Sequence, residues 1–278
     1  RRHTCPLAMS PARFKSTAVQ YRKNLVIIRA GDESLHPGWI ADPRRDFDIF
    51  VSYYGKKTDN FAELADYYEM RPGPKWPCIA DLLSLHPELL DRYDAFWFPD
   101  DDLAIQTPDI NRMFALFHGF ELSLAQPALT HDSYYSWRVL LQEPDNVLRM
   151  INFVEVMAPI FSRAALHTCL SSFTASPSGW GLDRIWPALC MANGLRQIGI
   201  IDAVAIKHTR PLGGDLYKNN PHLDCYRDEK DVLRKYSVSS YFRNPKYEIL
   251  SERVTRVEDP LLSRFWLRLK KNLKKQPS

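Results

Sequence analysis

"AFWFPDDDL", Ala95 to Leu103, runs four apolar and aromatic residues into three consecutive carboxylates. A short run of this kind, stopped by Pro99, reads as a buried strand whose carboxyl end lies at the proline. In open α/β sheets ligands bind beyond the carboxyl ends of the strands. Adjacent carboxylates repel one another there unless a cation sits among them. Hard oxygen ligands suit Mg²⁺ or Mn²⁺, which need only one or two carboxylates and leave positions for substrate phosphates. The plainer alternative is a solvated acidic turn ahead of the next helix.

Outward from this strand, apolar runs alternate with helical patterns. "NLVII" (Asn24 to Ile28) and "FDIFVSYYG" (Phe47 to Gly55) predict strands, and "KWPCIADLLSLHPELLDRY" predicts a helix entered near Pro77 and broken at Pro87. "TPDINRMFALFHG" predicts a helix with Thr107 as N-cap, Pro108 in the first position, Asp109 complementing the dipole and Gly119 at the end. "ELSLAQPAL" and "VLRMINFVEVMAPIFS" predict further strands, and "RAALHTCLSSF" and "GLDRIWPALCMANG" further helices. "LRQIGIIDAVAIKHTRP" predicts two last short strands. This alternation predicts an α/β, Rossmann-like fold: a mixed, mainly parallel central sheet with flanking helices.

At 278 residues and 45% hydrophobic content, the chain suits one such domain with tails. We expect a basic extension over 1–23, the main domain over 24–214, a C-terminal extension packing on it over 215–260, and a basic amphipathic helix over 261–278. Of the 37 Lys and Arg, twelve lie in the first 23 and last 18 residues, where there is no acid. The body is left with 25 basic against 33 acidic side chains, a poor nucleic-acid binder. Cys5, Cys78, Cys169, Cys190 and Cys225 are scattered and form no CxxC pair. That argues for a reducing compartment, and so for a cytoplasmic protein. "RRHTCPLAMSPARF" lacks the apolar core of a secretory signal, and no run is long enough for a spanning helix.

Two further motifs carry chemistry. In "SGWGLDR" (Ser178 to Arg184) two glycines let the backbone turn tightly around Trp180, and Asp183 follows at a helix start. A carboxylate beside an aromatic plate suits a general base for a sugar hydroxyl, though a helix cap with a core Trp is the bland alternative. In "IKHTRP" (Ile206 to Pro211), His208 ends a short strand and could complete a metal shell begun by the aspartates, or be structural.

In this order, "PDDD", "GWGLD" and "KHTRP" resemble the nucleotide-sugar glycosyltransferases of the GT-A fold. "PDDD" is similar to their DxD motif, "GWGLD" to the Gly-Trp-Gly-acid segment of inverting members, and "KHTRP" to the late His of their metal site. More closely, "YDAFWFPDDDL", "EVMAPIFSR", "SGWGLD" and "IKHTRP" together resemble a bacterial and plant family catalogued only as a domain of unknown function. The resemblance covers about Asn24 to Gly214. It implies a GT-A-like fold, a divalent Mn or Mg ion, and inverting transfer of a sugar from a nucleoside-diphosphate donor to a glycan or glycolipid. Asp102 would bind the metal directly. Asp100 would meet the donor ribose or the metal's water, and Asp101 could replace either, since three consecutive acids leave the register open. His208 would be the further metal ligand and Asp183 the catalytic base. Trp180 would stack on the acceptor, with Glu155 in "FVEVMAPIFSR" facing it as a second candidate base. Arg29 and Asp32 would line the nucleotide pocket, and Lys75 would offset diphosphate charge.

"LLSRFWLRLKKNLKK" places Leu261, Phe265, Leu269 and Leu273 on one helical stripe opposite Lys and Arg. Such a helix suits an anionic membrane surface. This predicts a peripheral protein at the inner membrane face, in cell-surface polysaccharide synthesis. Two other readings stay open: a metal-dependent phosphohydrolase using the same aspartates, and a non-catalytic glycan- or membrane-binding protein on the same scaffold.

Overall fold

The computed structural model describes residues 13–14, 22–211, 224–238 and 253–255. Their strands are β1 (Arg13–Phe14), β2 (Asn24–Ala30), β3 (Phe47–Tyr53), β4 (Tyr67–Met70), β5 (Ala95–Trp97), β6 (Leu103–Ala104), β7 (Leu124–Leu129), β8 (Asn146–Met150), β9 (Ile160–Ser162), β10 (Ile198–His208) and β11 (Arg253–Thr255). The helices are α1 (Lys75–Leu85), α2 (Glu88–Arg92), α3 (Thr107–Gly119), α4 (Arg163–Cys169), α5 (Leu182–Ala192) and α6 (Cys225–Lys235). The strands form one sheet in the order β1-β4-β3-β2-β5-β9-β7-β10-β8-β11, with β6 on β10. β4-β3-β2-β5 and β7-β10 are parallel runs, and β9 enters antiparallel between them. This is the expected fold class, a mixed α/β sheet with a parallel centre and flanking helices.

The unbroken apolar strands follow from burial on both faces. On β2, Val26, Ile28 and Ala30 join a core with Ile110, Met113, Phe114 and Phe117 of α3. Leu25 and Ile27 point the other way, into a core with Trp76 and Ile79 of α1, Leu166 of α4 and Trp186 of α5. The parallel order brings the carboxyl ends of β2, β3, β5, β7 and β10 to one end of the sheet, where the three motifs meet.

Two local expectations are corrected. The last segment is one eleven-residue strand, not two. Its register on β7 shifts between Ile201 and Ala205, beside Pro127, which has no N–H for the ladder. Asp202 continues the strand because its buried carboxylate is held at 2.7 and 3.0 Å by Arg149. Thr107 is not the N-cap of α3, since Gln106 precedes the helix without a side-chain cap. Its hydroxyl instead donates to the Trp39 carbonyl at 2.6 Å, tying α3 to the 3₁₀ turn His36–Ile40. Pro87 separates α1 from α2, as expected.

The sequence reading overlooked β4 and α6. Asp224 caps α6 by accepting from the Arg227 N–H at 3.0 Å. Val232 and Leu233 bury its inner face beside α5. The amphipathic helix expected over 261–278 lies outside the described residues, as does most of 1–23. Among the described residues, no helix is long and apolar enough to cross a membrane. Cys78, Cys169 and Cys190 are buried free thiols, and Cys225 is part-buried.

Candidate active site

The acid cluster leaves the end of β5 with its backbone still paired. The Phe98 N–H donates to the Pro159 carbonyl at 3.0 Å and the Asp100 N–H to Met157 at 2.8 Å. Each aspartate then meets a different cation. Asp100 Oδ1 lies 2.6 Å from Lys75 Nζ, Asp101 Oδ1 3.2 Å from Arg210 Nη1, and Asp102 Oδ2 3.1 Å from His208 Nε2. The mutual repulsion expected from the sequence is therefore offset pair by pair, within the chain itself.

Lys75 does not stand ready for a diphosphate. Its ammonium also donates to the carbonyls of Phe98 (2.8 Å) and Val156 (2.9 Å), which uses its three protons. It braces the end of β5 against the segment that leads into β9. Burial lowers its pKa, and the neighbouring Asp100 works against that. Asp101 accepts from the Gly31 N–H at 2.7 Å and from the Tyr54 hydroxyl at 3.3 Å, so it fastens the loop after β2. Burial raises its pKa, while Gly31 and Arg210 oppose the rise. The Asp100 side chain is the open one of the three, 41% exposed against 8% and 11% for Asp101 and Asp102.

Asp102 and His208 fit a divalent cation. Asp102 Oδ1 is buried without a hydrogen-bond partner. His208 Nδ1 lies 2.8 Å from the Tyr134 carbonyl and so carries the proton, which leaves Nε2 aimed at Asp102. Burial alone would lower the His208 pKa. The hydrogen bond and charge of Asp102, with the Tyr134 carbonyl, outweigh it and push the value up to about 9. A cation bound here would displace that proton. No group of three or more His, Cys, Asp or Glu side chains stands ready for a metal among the described residues. Asp100, expected as a ligand, is engaged by Lys75 instead. Two protein ligands completed by substrate oxygens is the pattern of Mg²⁺ and Mn²⁺ sites.

Glu155 and Asp183 form a second group. Glu155 is buried, and its N–H donates to Gln126 Oε1 at 2.6 Å. Burial first and then the charge of Asp183 push its pKa up to about 7, against a hydrogen bond with Ser136 and the charge of His208. Asp183 lies in the first turn of α5, where Gly181 holds the N-cap position. Burial pushes it up to about 7 as well, with Arg184 pulling down and Glu229 pushing up. Backbone N–H groups of the first turn, that of Arg184 and its own, also lower it, while its Oδ1 is buried without a hydrogen-bond partner. Two acids that titrate near neutrality in one recess are suited to taking up and releasing a proton.

Both glycines around Trp180 are required. Gly179 and Gly181 have φ of +83° and +88°, and a Cβ would come within 2.9 Å of the Trp76 ring and 3.1 Å of the Glu229 backbone, respectively. Trp180 is therefore held outward rather than packed in the core. It is 38% exposed, edge-to-face with Tyr226 at 5.5 Å between centroids.

The other two expected residues stand apart. Arg29 is buried, and its guanidinium donates to Ser52 Oγ (2.6 Å) and to the carbonyls of Arg71 (2.5 Å) and Gly73 (3.0 Å). It braces the segment ahead of α1, a task other than the nucleotide lining expected of it, and its Nε is buried without a hydrogen-bond partner. Asp32 accepts from the Tyr53 hydroxyl and, at 3.3 Å, from the Lys56 N–H. The Tyr53 bond holds its carboxyl below the usual range. Four contributors were overlooked: Tyr54, Gln126, Ser136 and Arg210. Two had a signal. Arg210 follows His208 by the strand period of two, and Gln126 is a polar residue inside an apolar strand.

No curated protein matches the chain. Solved structures similar to it include Staphylococcus aureus TarS residues 1–349 in complex with UDP-GlcNAc. That pair is 12% identical over 78% of this chain and 66% of that one, with a TM-score of 0.49. The chain spans less than half of the longer TarS structure: 44%, at 11% identity over 79% of this chain and a TM-score of 0.45. Glucosyl-3-phosphoglycerate synthase from Mycobacterium tuberculosis, in complex with Mn²⁺, UDP and phosphoglyceric acid, is 15% identical over 85% of this chain and 88% of that one, with a TM-score of 0.48. Residues 43–244, well over half of the sequence, match the family described as DUF707, protein of unknown function, and the chain belongs to that family.

Proposed function

We propose that this chain is a metal-dependent glycosyltransferase that moves a sugar from a nucleoside-diphosphate donor to a glycan or glycolipid acceptor, with inversion. The observation that carries the reading is the joining of two unlike acid groups at the carboxyl ends of the parallel strands of one mixed sheet. One is a carboxylate–imidazole pair with a spare buried oxygen, and the other is a pair of acids titrating near 7. A transferase of this class needs both: a place for a cation on the leaving diphosphate, and a base for the attacking hydroxyl. The motif resemblance to GT-A enzymes agrees with this division.

Asp102 and His208 would hold Mn²⁺ or Mg²⁺, which when bound supplies Lewis-acid stabilisation of the leaving diphosphate. Asp100, the open member of the cluster, faces the donor beside them, and Asp101 keeps the loop after β2 closed under it. Asp183 accepts the acceptor's proton. Glu155, raised to about 7 by burial and by the charge of Asp183, is the second candidate base. Trp180 stacks on the acceptor sugar. Fixing donor and acceptor in line supplies much of the rate. Action at the inner membrane face, in cell-surface polysaccharide synthesis, belongs to the same proposal and rests on the basic stripe of 261–278.

Calorimetry with UDP, GDP, CDP and ADP, with and without Mn²⁺, tests the donor half. We expect one base to bind only with the metal and to lose at least tenfold in affinity in Asp102→Ala. A folded protein that binds none of them overturns the transferase reading.

A further inference from the structure

We infer that α6 is part of the acceptor site, where Tyr226 and Trp180 form a two-walled aromatic corner that takes the terminal sugar ring of a glycan chain. The inference rests on the transferase reading above.

The turn that carries Trp180 and the start of α6 are fitted to each other at four points. The Ser178 N–H donates to Asp228 Oδ2 at 3.0 Å. Arg184 Nε meets Glu229 Oε1 at 2.8 Å. Gly181 is required because the Glu229 backbone passes where its Cβ would be. Tyr226 meets Trp180 edge to face. The left-handed turn is thus shaped around α6, and the same turn leads directly into Asp183.

Tyr226 is 76% exposed. Trp180 and Tyr226 are rigid, amphipathic and adjacent, the kind of surface that covers the apolar face of a pyranose and leaves its hydroxyls to polar neighbours. Those neighbours are Asp183, Arg184, Asp228 and Glu229. A lipid chain or an apolar peptide would need continuous apolar surface in their place.

The angle between the rings, 66°, decides which part of a glycan fits. A flat stretch of several sugars needs coplanar plates. Two walls meeting at a steep angle accept one ring and block the chain beyond it. Trp180 stands on the turn that leads into Asp183, and on this proposal the ring seated there is the one whose hydroxyl Asp183 deprotonates.

Saturation-transfer NMR tests this with malto-, cello-, xylo- and chitohexaose on the full-length protein with Mn²⁺ and UDP. At least one hexaose should bind, with its non-reducing terminal ring saturated at least twofold more than the interior rings. Tyr226→Ala should weaken that binding at least fivefold, Tyr226→Phe should stay within twofold of wild type, and Trp180→Ala should abolish it. Circular dichroism and Mn²⁺-dependent UDP binding should match wild type in all three variants. Undiminished binding in Tyr226→Ala overturns the role of α6, and equal saturation along the chain overturns the terminal-ring fit. If no hexaose binds while UDP does, the corner is overturned and the donor reading stands. If UDP also fails to bind, both fall.

Discussion

In the cluster after β5, every carboxylate meets a cation brought from elsewhere in the chain: Lys75 on Asp100, Arg210 on Asp101, His208 on Asp102. Among the described residues, Glu155 and Asp183 make no such ion pair, and the Arg184 and His208 side chains act on them through charge alone. The charge of Asp183 works against ionising Glu155, that of Glu229 works against ionising Asp183, and Asp183 Oδ1 has no hydrogen-bond donor. The first group is charge-paired throughout, with only Asp102 Oδ1 left without a partner, and the second is not charge-paired. A charge held in an unfavourable setting is the kind of local conflict a fold retains at a reacting site. The comparison therefore separates acids that hold things from an acid that reacts.

The largest test of that separation is Asp183→Asn. We expect turnover of the donor identified by the nucleotide panel to fall at least a hundredfold, as loss of a positioned base does. Stability should move the other way. Glu155 and Asp183 both titrate higher folded than unfolded, at about 7 against 4.5 and 3.8. The fold thus favours their protonated forms, and that stability is complete below about pH 4 and lost as pH rises through 7. Removing one charge at pH 8 should stabilise the protein by on the order of 1–3 kcal/mol, or a few degrees in Tm. Thermal unfolding of wild type and variant from pH 5 to pH 8.5 checks it. Curves that stay parallel would mean that Asp183 carries no unfavourable charge.

The reverse effect is expected in the charge-paired group. Lys75→Met leaves Asp100 without its cation and the carbonyls of Phe98 and Val156 without a donor. Breaking a fully buried pair in this way costs about 3–5 kcal/mol. Asp100 is partly open to water, which screens the pair. We expect a loss of about 2 kcal/mol, read as a lower urea midpoint with unchanged slope. An unchanged midpoint would remove Lys75 from the bracing of β5.

The same contrast explains what the sequence disclosed. The sheet was legible because strands buried on both faces must be apolar throughout, and "NLVII", "FDIFV" and "AFWF" are. The acid cluster was legible because three charges at the end of such a run have few other uses. Their partners were not, since Lys75 and Arg210 reach the cluster only through the folded topology. Lys75 was read as free for phosphate because a basic residue near a phosphate-binding end looks available until its protons are counted against nearby carbonyls, and Arg29 likewise takes partners that only the folded topology brings to it. The two glycines around Trp180 were read correctly as a tight turn. That the turn is shaped by α6 was hidden, because "CYRDEKDVLRK" has a mostly charged face and only Val232 and Leu233 to bury. β4 was missed because "YYEM" is short and carries Glu69, which is buried only because Arg71 and Ser52 satisfy it.

Arg210→Ala is the smallest and sharpest case. Arg210 neutralises Asp101 as Lys75 does Asp100, so a count of ion pairs predicts equal losses. The surroundings predict otherwise. The Arg210 side chain is 37% exposed, and its second bond, to the Glu33 carbonyl at 2.6 Å, lies at the surface. Asp101 also keeps the Gly31 N–H and the Tyr54 hydroxyl when the guanidinium is gone. A water-screened pair with such replacements contributes below about 1 kcal/mol. The urea midpoint should therefore move less than half as far as in Lys75→Met. An equal or larger shift would mean that the cluster is stabilised by its summed charge. A smaller one would mean that each aspartate is held by its own neighbours, so that the Asp102–His208 pair could give up its Nε2 proton for a divalent ion without loosening the other two.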